Sequence, residues 1–178
     1  TGRPKAILHD LSIFLKRYSL PRPAYRTLNF LLFDHIGGLN TLFHTLFNEG
    51  QVIIPYARNV SDIINDIDDY KVELLPTTPT FLRMLIMDGQ INLNRLKSLK
   101  IITYGSEMMD ENTLLRLNKL LPNVKFKQTY GMSEIGILKI KSENKSRVLL
   151  SLIIEYLSSP FCFANLIKSN LQSKKVNS

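Results

Sequence analysis

Hydrophobic residues along this chain follow two alternating patterns, which predict helices that alternate with short strands. In several segments the apolar residues recur every three or four positions, the spacing of one face of an amphipathic helix. The predicted helices cover residues 7–18, 39–48, 62–70, 78–87 and 111–121. Ser61 and Asp110 are residue types that cap helix N-termini, so we expect the third and fifth helices to begin after them.

Short runs of apolar or β-branched residues separate these helices and predict strands. The predicted strands cover residues 28–33, 52–54, 72–75, 99–103 and 124–128. Strands separated by helices of about ten residues are typical of βαβ units and of a parallel sheet. The predicted fold class is therefore α/β, with a mainly parallel sheet and flanking helices, over residues 1–140.

Composition narrows the class of protein without defining its function. The 178 residues suffice for one domain with a sizeable core. The net charge of +8 is uneven: residues 1–136 hold 16 Lys/Arg and 13 Asp/Glu, a net +3, and residues 137–178 hold 7 and 2, a net +5. Because no nucleic-acid motif accompanies this charge, we expect no nucleic-acid partner. The single cysteine, Cys162, excludes an internal disulfide and fits a reducing, cytoplasmic location.

Residues 141–178 differ from the rest of the chain and are predicted to form a divergent tail outside the domain. They are rich in Asn, Lys, Ile and Ser and include an apolar stretch, residues 148–167. Glu155 and Pro160 interrupt that stretch, whereas a transmembrane helix needs about 20 predominantly apolar residues. We therefore expect no membrane span. A frameshift, a misjoined gene model or a truncated reading frame would account for such an end.

Four loops carry most of the candidate chemistry, and each precedes a predicted helix or follows a predicted strand. They are residues 1–5, 34–38, 104–107 and 130–134. Loops of this kind can gather at one edge of a sheet, where open α/β folds bind their ligands. Together they supply glycines, a lysine, a histidine, two carboxylates and two aromatic rings. That combination suits a nucleoside triphosphate with its metal ion.

The last of these loops belongs to residues 129–136, which we interpret as a turn at the end of a strand. The Ser133 hydroxyl could hold a phosphate oxygen, and the Glu134 carboxylate could bind the magnesium ion of that phosphate. For the octapeptide by itself, an ordinary β-turn is the alternative interpretation.

Other candidate residues also have structural alternatives. Lys5 could be an exposed charge, and His35 could be a hydrogen-bonded turn residue. Glu107 could cap the helix that follows it or contact a ligand. His9 and His44 fall within predicted helices, so we expect them to be structural. Four methionines are expected in or near the core: Met84, Met87, Met108 and Met109.

In their order along the chain, the four loops resemble motifs of the adenylate-forming superfamily, which includes acyl-CoA synthetases, luciferases and adenylation domains of peptide synthetases. Thr-Gly-Arg-Pro-Lys at residues 1–5 is similar to the end of the family's phosphate loop. Asp-His-Ile-Gly-Gly at 34–38 stands where the family has an aromatic/histidine motif. Tyr-Gly-Ser-Glu at 104–107 resembles the segment that lines the adenine and carboxylate site. Thr-Tyr-Gly-Met-Ser-Glu at 129–134 resembles the Tyr-Gly-x-Thr/Ser-Glu signature.

The resemblance extends from residue 1 to about residue 137 and implies a reaction. In that reaction a carboxylate attacks the α-phosphate of ATP, which gives an acyl-adenylate and pyrophosphate, and the acyl group usually passes to a thiol. The implied partners are an aliphatic or aryl carboxylic acid, ATP, Mg²⁺ and coenzyme A, with fatty acid metabolism as the expected setting. Adenylation of an acid for a carrier protein is the close alternative, and an inactive nucleotide-binding remnant is another.

The resemblance assigns the phosphates and the metal ion to two ends of the matched region. Thr1, Gly2 and Lys5 would belong to the phosphate-binding loop. Ser133 would hold the α-phosphate region, and Glu134 would bind the Mg²⁺ that bridges phosphate oxygens, as one of two catalytic residues.

The resemblance assigns the adenine and the acid to residues between those ends. Tyr130 would stack on adenine, and Gly105, Ser106 and Gly131 would line the nucleotide and carboxylate site. His35, the second catalytic candidate, would lie between the acid pocket and the thiol tunnel. The acid pocket itself would be shaped by Phe33, Ile36, Leu39, Thr80 and Met132.

Two elements that the resemblance leads us to expect have no match in residues 141–178. One is a Gly-Asp segment whose aspartate holds the ribose hydroxyls, and the other is a small C-terminal domain with a lysine that contacts the reacting carboxylate. Because the chain also begins inside the phosphate-loop motif, we expect a fragment of the large N-terminal domain. We expect little or no full turnover from it.

Overall fold

A computed structural model describes residues 8–89, 92–132 and 136–138, with only the backbone described at 132 and 136–138. Five of the predicted site residues lie outside the described residues, so their roles stay predictions. They are Thr1, Gly2, Lys5, Ser133 and Glu134. The predicted tail, 141–178, also lies outside them.

Helices and short strands alternate through the described ranges, as the hydrophobic pattern predicts. The helices are α1 (Leu11–Lys16), α2 (Ile36–Phe47), α3 (Val60–Asp69), α4 (Pro79–Asp88) and α5 (Glu111–Leu120). The strands are β1 (Arg26–Leu28), β2 (Gln51–Ile53), β3 (Leu74–Thr77), β4 (Ile101–Tyr104), β5 (Lys125–Gln128), β6 (Tyr130–Met132) and β7 (Gly136–Leu138).

Strands β1 to β5 form one sheet in the order β2-β1-β3-β4-β5, and every neighbouring pair in it is parallel. This confirms the α/β prediction. The carboxyl ends of three adjacent strands lie in register, because Thr77 pairs with Tyr104 and Tyr104 pairs with Gln128. Residues that follow these strands therefore emerge at one edge of the sheet.

The main core lies between the sheet and helices α3, α4 and α5. Leu28, Leu75 and Ile102 come from adjacent strands and are almost completely buried. From the helices, Ile64 and Leu82 are buried in the same cluster. Because each large apolar side chain contributes roughly 1.5–3 kcal/mol when buried, this cluster is the principal source of stability for the sheet.

A second, smaller core joins α1 to α2. Phe14 of α1 and Tyr18, which follows α1, pack edge to face with ring centroids 5.5 Å apart, and both rings contact Phe43 of α2. His9 and His44 contact Phe14 and Tyr18, respectively, which places both histidines in this aromatic packing.

No helix in the described ranges is both long enough and apolar enough to cross a membrane.

Several predicted element boundaries differ from the observed ones, and two of the differences have a structural explanation. The apolar run 28–33 is not a strand, since β1 ends at Leu28 and the chain then turns, with the Asn29 amide donating to the Leu31 carbonyl oxygen. Helix α3 is capped by Asn59, whose Oδ1 accepts from the Asp62 N–H at 2.9 Å, and not by Ser61. The cap predicted at Asp110 is confirmed, since its side chain accepts from the Thr113 N–H at 2.8 Å.

The interpretation of residues 129–136 as a turn is also incomplete. Residues 130–132 form strand β6, which pairs antiparallel with β7, so this segment begins a hairpin beyond the parallel sheet.

The expectation for the methionines holds for Met109, which is buried, and is wrong for Met84, Met87 and Met108, which are 47–83% exposed.

Candidate functional site

A cleft opens at the carboxyl ends of β3, β4 and β5, beside the N-terminal turns of α2. Its walls combine the loop before α2, the first turns of α2 and the residues at the strand ends. The lining residues are Leu31, His35, Ile36, Gly37, Asn40, Thr41, Pro76, Thr77, Thr103, Gly105, Ser106, Thr129 and Gly131.

Three of the four loops singled out from the sequence contribute to this cleft. His35 comes from residues 34–38, Gly105 and Ser106 come from residues 104–107, and Gly131 comes from the last loop. The fourth loop, residues 1–5, lies outside the described residues. The fold therefore brings together segments that are separated by almost 100 positions in the sequence.

His35 is the N-cap of α2 and lines the cleft. Its Nδ1 accepts a hydrogen bond from the Gly37 backbone N–H at 3.0 Å, and its backbone is extended, as is usual at an N-cap. Because Nδ1 is the acceptor, the neutral ring carries its proton on Nε2. His35 is therefore hydrogen-bonded within the protein, as the structural alternative expects. In this tautomer the ring still has an N–H donor at Nε2.

The glycine pair after His35 is explained by close backbone packing. A Cβ on Gly38 would lie 1.9 Å from the Leu32 carbonyl oxygen, and a Cβ on Gly37 would lie 2.8 Å from Leu31 Cδ1. The loop that leaves β1 therefore passes directly against the start of α2. This contact holds the apolar run after β1 out of the sheet and positions His35 at the cleft.

The loops that follow β4 and β5 are in direct contact. The Thr129 N–H donates to the Tyr104 carbonyl oxygen at 2.7 Å, and the Thr129 hydroxyl donates to the same oxygen at 3.1 Å. A Cβ on Gly105 would lie 2.6 Å from both the carbonyl oxygen and Oγ1 of Thr129. Packing against Thr129 thus requires a glycine at position 105, whether or not a ligand also approaches there.

Ser106 has an unusual backbone conformation at the rim of the cleft. Its φ is +69°, in the left-handed region that residues with a Cβ seldom adopt, and its side chain is exposed. Strained backbone of this kind is concentrated at ligand-binding sites. Glu49 and Lys71 adopt the same region without lining the cleft, so the role of Ser106 stays a prediction.

Glu107 lies in a polar network outside the cleft. Its Oε2 accepts from the Thr80 N–H at 3.1 Å, from the Thr80 hydroxyl and from Arg83 Nη2 at 3.3 Å. Arg83 also contacts Asp110 at 3.4 Å. Glu107 therefore caps the first turn of α4 and not α5, the helix that follows it in the sequence. Thr80 is engaged in this cap and does not line the cleft.

Most of the residues predicted to shape the acid pocket do not line the described cleft. Ile36 lines the cleft, whereas Phe33 is 39% exposed and, like Leu39, is absent from its walls. The side chain of Met132 is not described. Asn40 and Thr41 also line the cleft and were not predicted, although their positions three and four residues after Gly37 place them one turn further along the same face of α2.

The polar side chains in the described walls of the cleft are almost all uncharged. His35 is the only titratable residue among them. Tyr104, at the end of β4, is buried, and burial raises the pKa of its hydroxyl, which keeps that group neutral. The positive end of the 12-residue helix α2 also faces this region and favours a negatively charged ligand.

Tyr130 is not among the described walls of the cleft, and the expected metal ligand, Glu134, lies outside the described residues. Tyr130 is half-buried in β6, whereas the neighbouring Gly131 lines the cleft. Within the described ranges no group of three or more His, Cys, Asp or Glu side chains could hold a metal ion. This is compatible with magnesium, which often uses one or two carboxylates together with substrate phosphates.

The fold and the order of the loops place this chain in the adenylate-forming class of α/β proteins. The chain matches the family described as AMP-binding enzyme over residues 1–148, and it belongs to that family.

Curated proteins that are similar to this chain include a CoA ligase-like protein and a synthase protein. It is 26% identical to the 4-coumarate--CoA ligase-like 6 of Arabidopsis thaliana, over 99% of this chain and 32% of that protein. It is also 26% identical to a plipastatin synthase protein of Bacillus subtilis, over 77% of this chain and 6% of that protein.

Among solved structures, the fold resembles a luciferase-like enzyme from the mealworm Zophobas morio. The TM-score is 0.68 and the identity 26%, over 78% of this chain and 34% of that one. The chain thus spans about a third of the length of the 4-coumarate--CoA ligase-like relative and of this enzyme.

Proposed function

We propose that this chain supplies the acid-binding and part of the nucleotide-binding surface of an enzyme that activates a carboxylic acid with ATP. The product would be an acyl-adenylate, with release of pyrophosphate, and the acyl group would then form a thioester. The observation that carries the proposal is the cleft at the carboxyl ends of β3, β4 and β5, where three of the four motif loops meet.

The cleft suits the acid half of this reaction. Its described walls carry no carboxylate that would repel an acid, and they offer His35 and the positive end of α2. Two anions, the acid and the α-phosphate, must be brought together, so positioning and neutralisation of charge supply most of the catalysis. In this proposal His35 contacts the reacting acid through its Nε2–H.

The nucleotide half of the proposal depends on residues at both ends of the family match. Thr1, Gly2 and Lys5 would contact the phosphates, Ser133 the α-phosphate region, and Glu134 the Mg²⁺ ion. Between these ends, Tyr130 would stack on adenine, and Gly105, Ser106 and Gly131 would line the nucleotide and carboxylate site. Bound Mg²⁺ would supply charge neutralisation between the phosphate oxygens.

The thiol acceptor is proposed to be coenzyme A, and a carrier protein is the alternative. Relatives named as CoA ligases support coenzyme A. The relative named plipastatin synthase does not bear that name and is the reason for keeping the carrier protein as the alternative. The substrate is proposed to be an aliphatic or aryl acid, in a pathway such as fatty acid metabolism. A cytoplasmic location is part of this proposal.

Calorimetric titration with Mg-ATP, followed by acid-dependent exchange of labelled pyrophosphate into ATP, tests the proposal. We expect the chain to bind Mg-ATP, and Glu134→Gln to weaken that binding at least tenfold while Glu49→Gln, an exposed carboxylate outside the cleft, leaves it unchanged. Binding without exchange would favour the nucleotide-binding remnant. Absence of Mg-ATP binding would overturn the proposal.

A further inference from the structure

Asn40 combines two features that the proposed reaction does not yet use. It lies on α2 one turn after Ile36 and lines the cleft, where its side chain is half-buried. Its Oδ1 also accepts a hydrogen bond from the Tyr18 hydroxyl at 3.3 Å. An asparagine amide has one acceptor oxygen and one NH₂ group with two donors, so a bond that occupies the oxygen determines where the donors point.

Tyr18 is well suited to orient this amide. It is only 2% exposed and is held by rings of Phe14, Phe43 and Phe47 in the second core. Burial raises the pKa of the Tyr18 hydroxyl, so the group keeps its proton at neutral pH and remains a donor. The aromatic cluster between α1 and α2 thus holds the hydroxyl towards Asn40 Oδ1.

The remaining polar side chains of this wall are already engaged through specific atoms. The Thr41 hydroxyl donates to the Gly37 carbonyl oxygen at 2.9 Å, and His35 Nδ1 accepts from the Gly37 N–H. No hydrogen bond within the described residues engages Asn40 Nδ2. Within the described residues, the α2 wall therefore has two side-chain donors that no hydrogen bond engages, Asn40 Nδ2–H₂ and His35 Nε2–H, while His35 Nδ1 and Asn40 Oδ1 each accept a hydrogen bond from the protein.

We propose that Asn40 is a specificity-determining residue that donates a hydrogen bond to an oxygen acceptor on the acid other than its reacting carboxylate, and that Tyr18 is the positioning residue that orients it. The inference rests on the proposed function, because it concerns the acid of that reaction. The substrate class that follows is an acid with a hydroxyl, ether or carbonyl oxygen in its chain or on its ring. A plain hydrocarbon acid would leave the NH₂ group without a partner in the occupied cleft, which is unfavourable.

Matched pairs of acids that differ by one oxygen test this inference. The full 178-residue chain, with Mg-ATP present, is titrated calorimetrically with 4-hydroxycinnamate and cinnamate, and with 6-hydroxyhexanoate and hexanoate. We expect a preference of about three- to tenfold for the oxygenated acid in at least one pair, the range that one neutral hydrogen bond provides. Asn40→Leu should reduce this ratio to near one.

Two further variants separate the donor from the fold. Asn40→Asp keeps an acceptor for Tyr18 and removes the donors, so the ratio should again fall to near one even if the added charge weakens both acids. Tyr18→Phe keeps the ring and should lower the ratio at least twofold, an effect that a purely structural ring would not produce. Asn118→Asp, the same change on α5 at an exposed site, should leave the ratio unchanged.

The outcomes distinguish this inference from the function on which it rests. Equal binding of both acids in both pairs by the wild-type chain would overturn the role of Asn40 and leave acid activation standing. A preference that survives both Asn40 variants would do the same. If neither member of either pair binds while Mg-ATP does, the proposed acid site itself is wrong.

Discussion

Thr129 donates two hydrogen bonds to one acceptor, the carbonyl oxygen of Tyr104, through its N–H at 2.7 Å and its hydroxyl at 3.1 Å. Tyr104 is the last residue of β4, and Thr129 immediately follows β5. The contact therefore joins the two loops at the point where the strands end. As a consequence, Gly105 and Gly131 reach the same cleft.

The close contact at Thr129 predicts that Gly105→Ala is destabilising. The new Cβ would lie 2.6 Å from the Thr129 carbonyl oxygen, which belongs to backbone and cannot rotate away. We expect the free energy of unfolding to fall by about 1–3 kcal/mol, measured by urea denaturation. Ser106→Gly, at the adjacent residue with φ +69°, should leave stability unchanged or raise it by up to about 1 kcal/mol. An equal loss in both variants would contradict this account.

The fold class could be predicted because local patterns and topology agree. Segments with helical spacing alternate with short apolar runs along the chain. Helices and strands in that order have few possible folds other than a parallel sheet with helical crossovers. The cap at Asp110 was predictable because it is a local contact. The Asp110 side chain accepts from the N–H of Thr113, which lies only three positions away in the sequence.

The features that could not be predicted depend on contacts between residues that are distant in the sequence. The run 28–33 is apolar enough for a strand, but contact with Gly37 and Gly38 at the start of α2 holds its second half outside the sheet. Glu107 is adjacent to one helix and caps another, α4, through Thr80, 27 positions earlier. Neither contact has a periodic signal along the chain.

Asn59 and Ser61 offer a direct comparison of the observed and the predicted cap of α3. Asn59 Oδ1 accepts from the Asp62 N–H, whereas Ser61 lies exposed within the helix. Asn59→Ala should lower the free energy of unfolding by about 1 kcal/mol, and Ser61→Ala should change it by no more than about 0.5 kcal/mol. Thermal and urea denaturation of both variants measure the difference. A larger loss in Ser61→Ala would show that the cap lies where the sequence predicted it.

Glu73 predicts a dependence of stability on acidic pH. Burial by itself raises the pKa of Glu73, but hydrogen bonds from Lys100 Nζ at 2.6 Å and from the Arg26 N–H at 3.0 Å, together with both positive charges, outweigh it and hold the pKa below its ordinary value of 4.5. A carboxylate with a lowered folded pKa stabilises the fold above its unfolded pKa and loses that contribution as the pH falls.

The wild-type chain should therefore lose stability as the pH falls below about 4.5, through the lowered folded pKa of Glu73. Glu73→Gln should lower the free energy of unfolding by roughly 1–3 kcal/mol at pH 7, with a smaller difference from wild type at pH 3. Urea denaturation between pH 3 and 7 measures both curves, and Glu49→Gln, a change at an exposed carboxylate, should follow the wild-type curve. Parallel curves for wild type and Glu73→Gln would show that this carboxylate does not cause the acid sensitivity.

His35 has a capping role and a proposed catalytic role, and two substitutions separate them. His35→Asn keeps a side-chain acceptor for the Gly37 N–H, so its free energy of unfolding should stay within about 0.5 kcal/mol of wild type. His35→Ala removes the acceptor and should cost about 1 kcal/mol in urea denaturation. Because neither variant has the imidazole Nε2–H that faces the acid in the proposed reaction, both should lose acid affinity in calorimetric titration to a similar extent. If His35→Asn bound acids as wild type does, the imidazole would serve only to cap α2, and the proposed contact between His35 and the acid would be wrong.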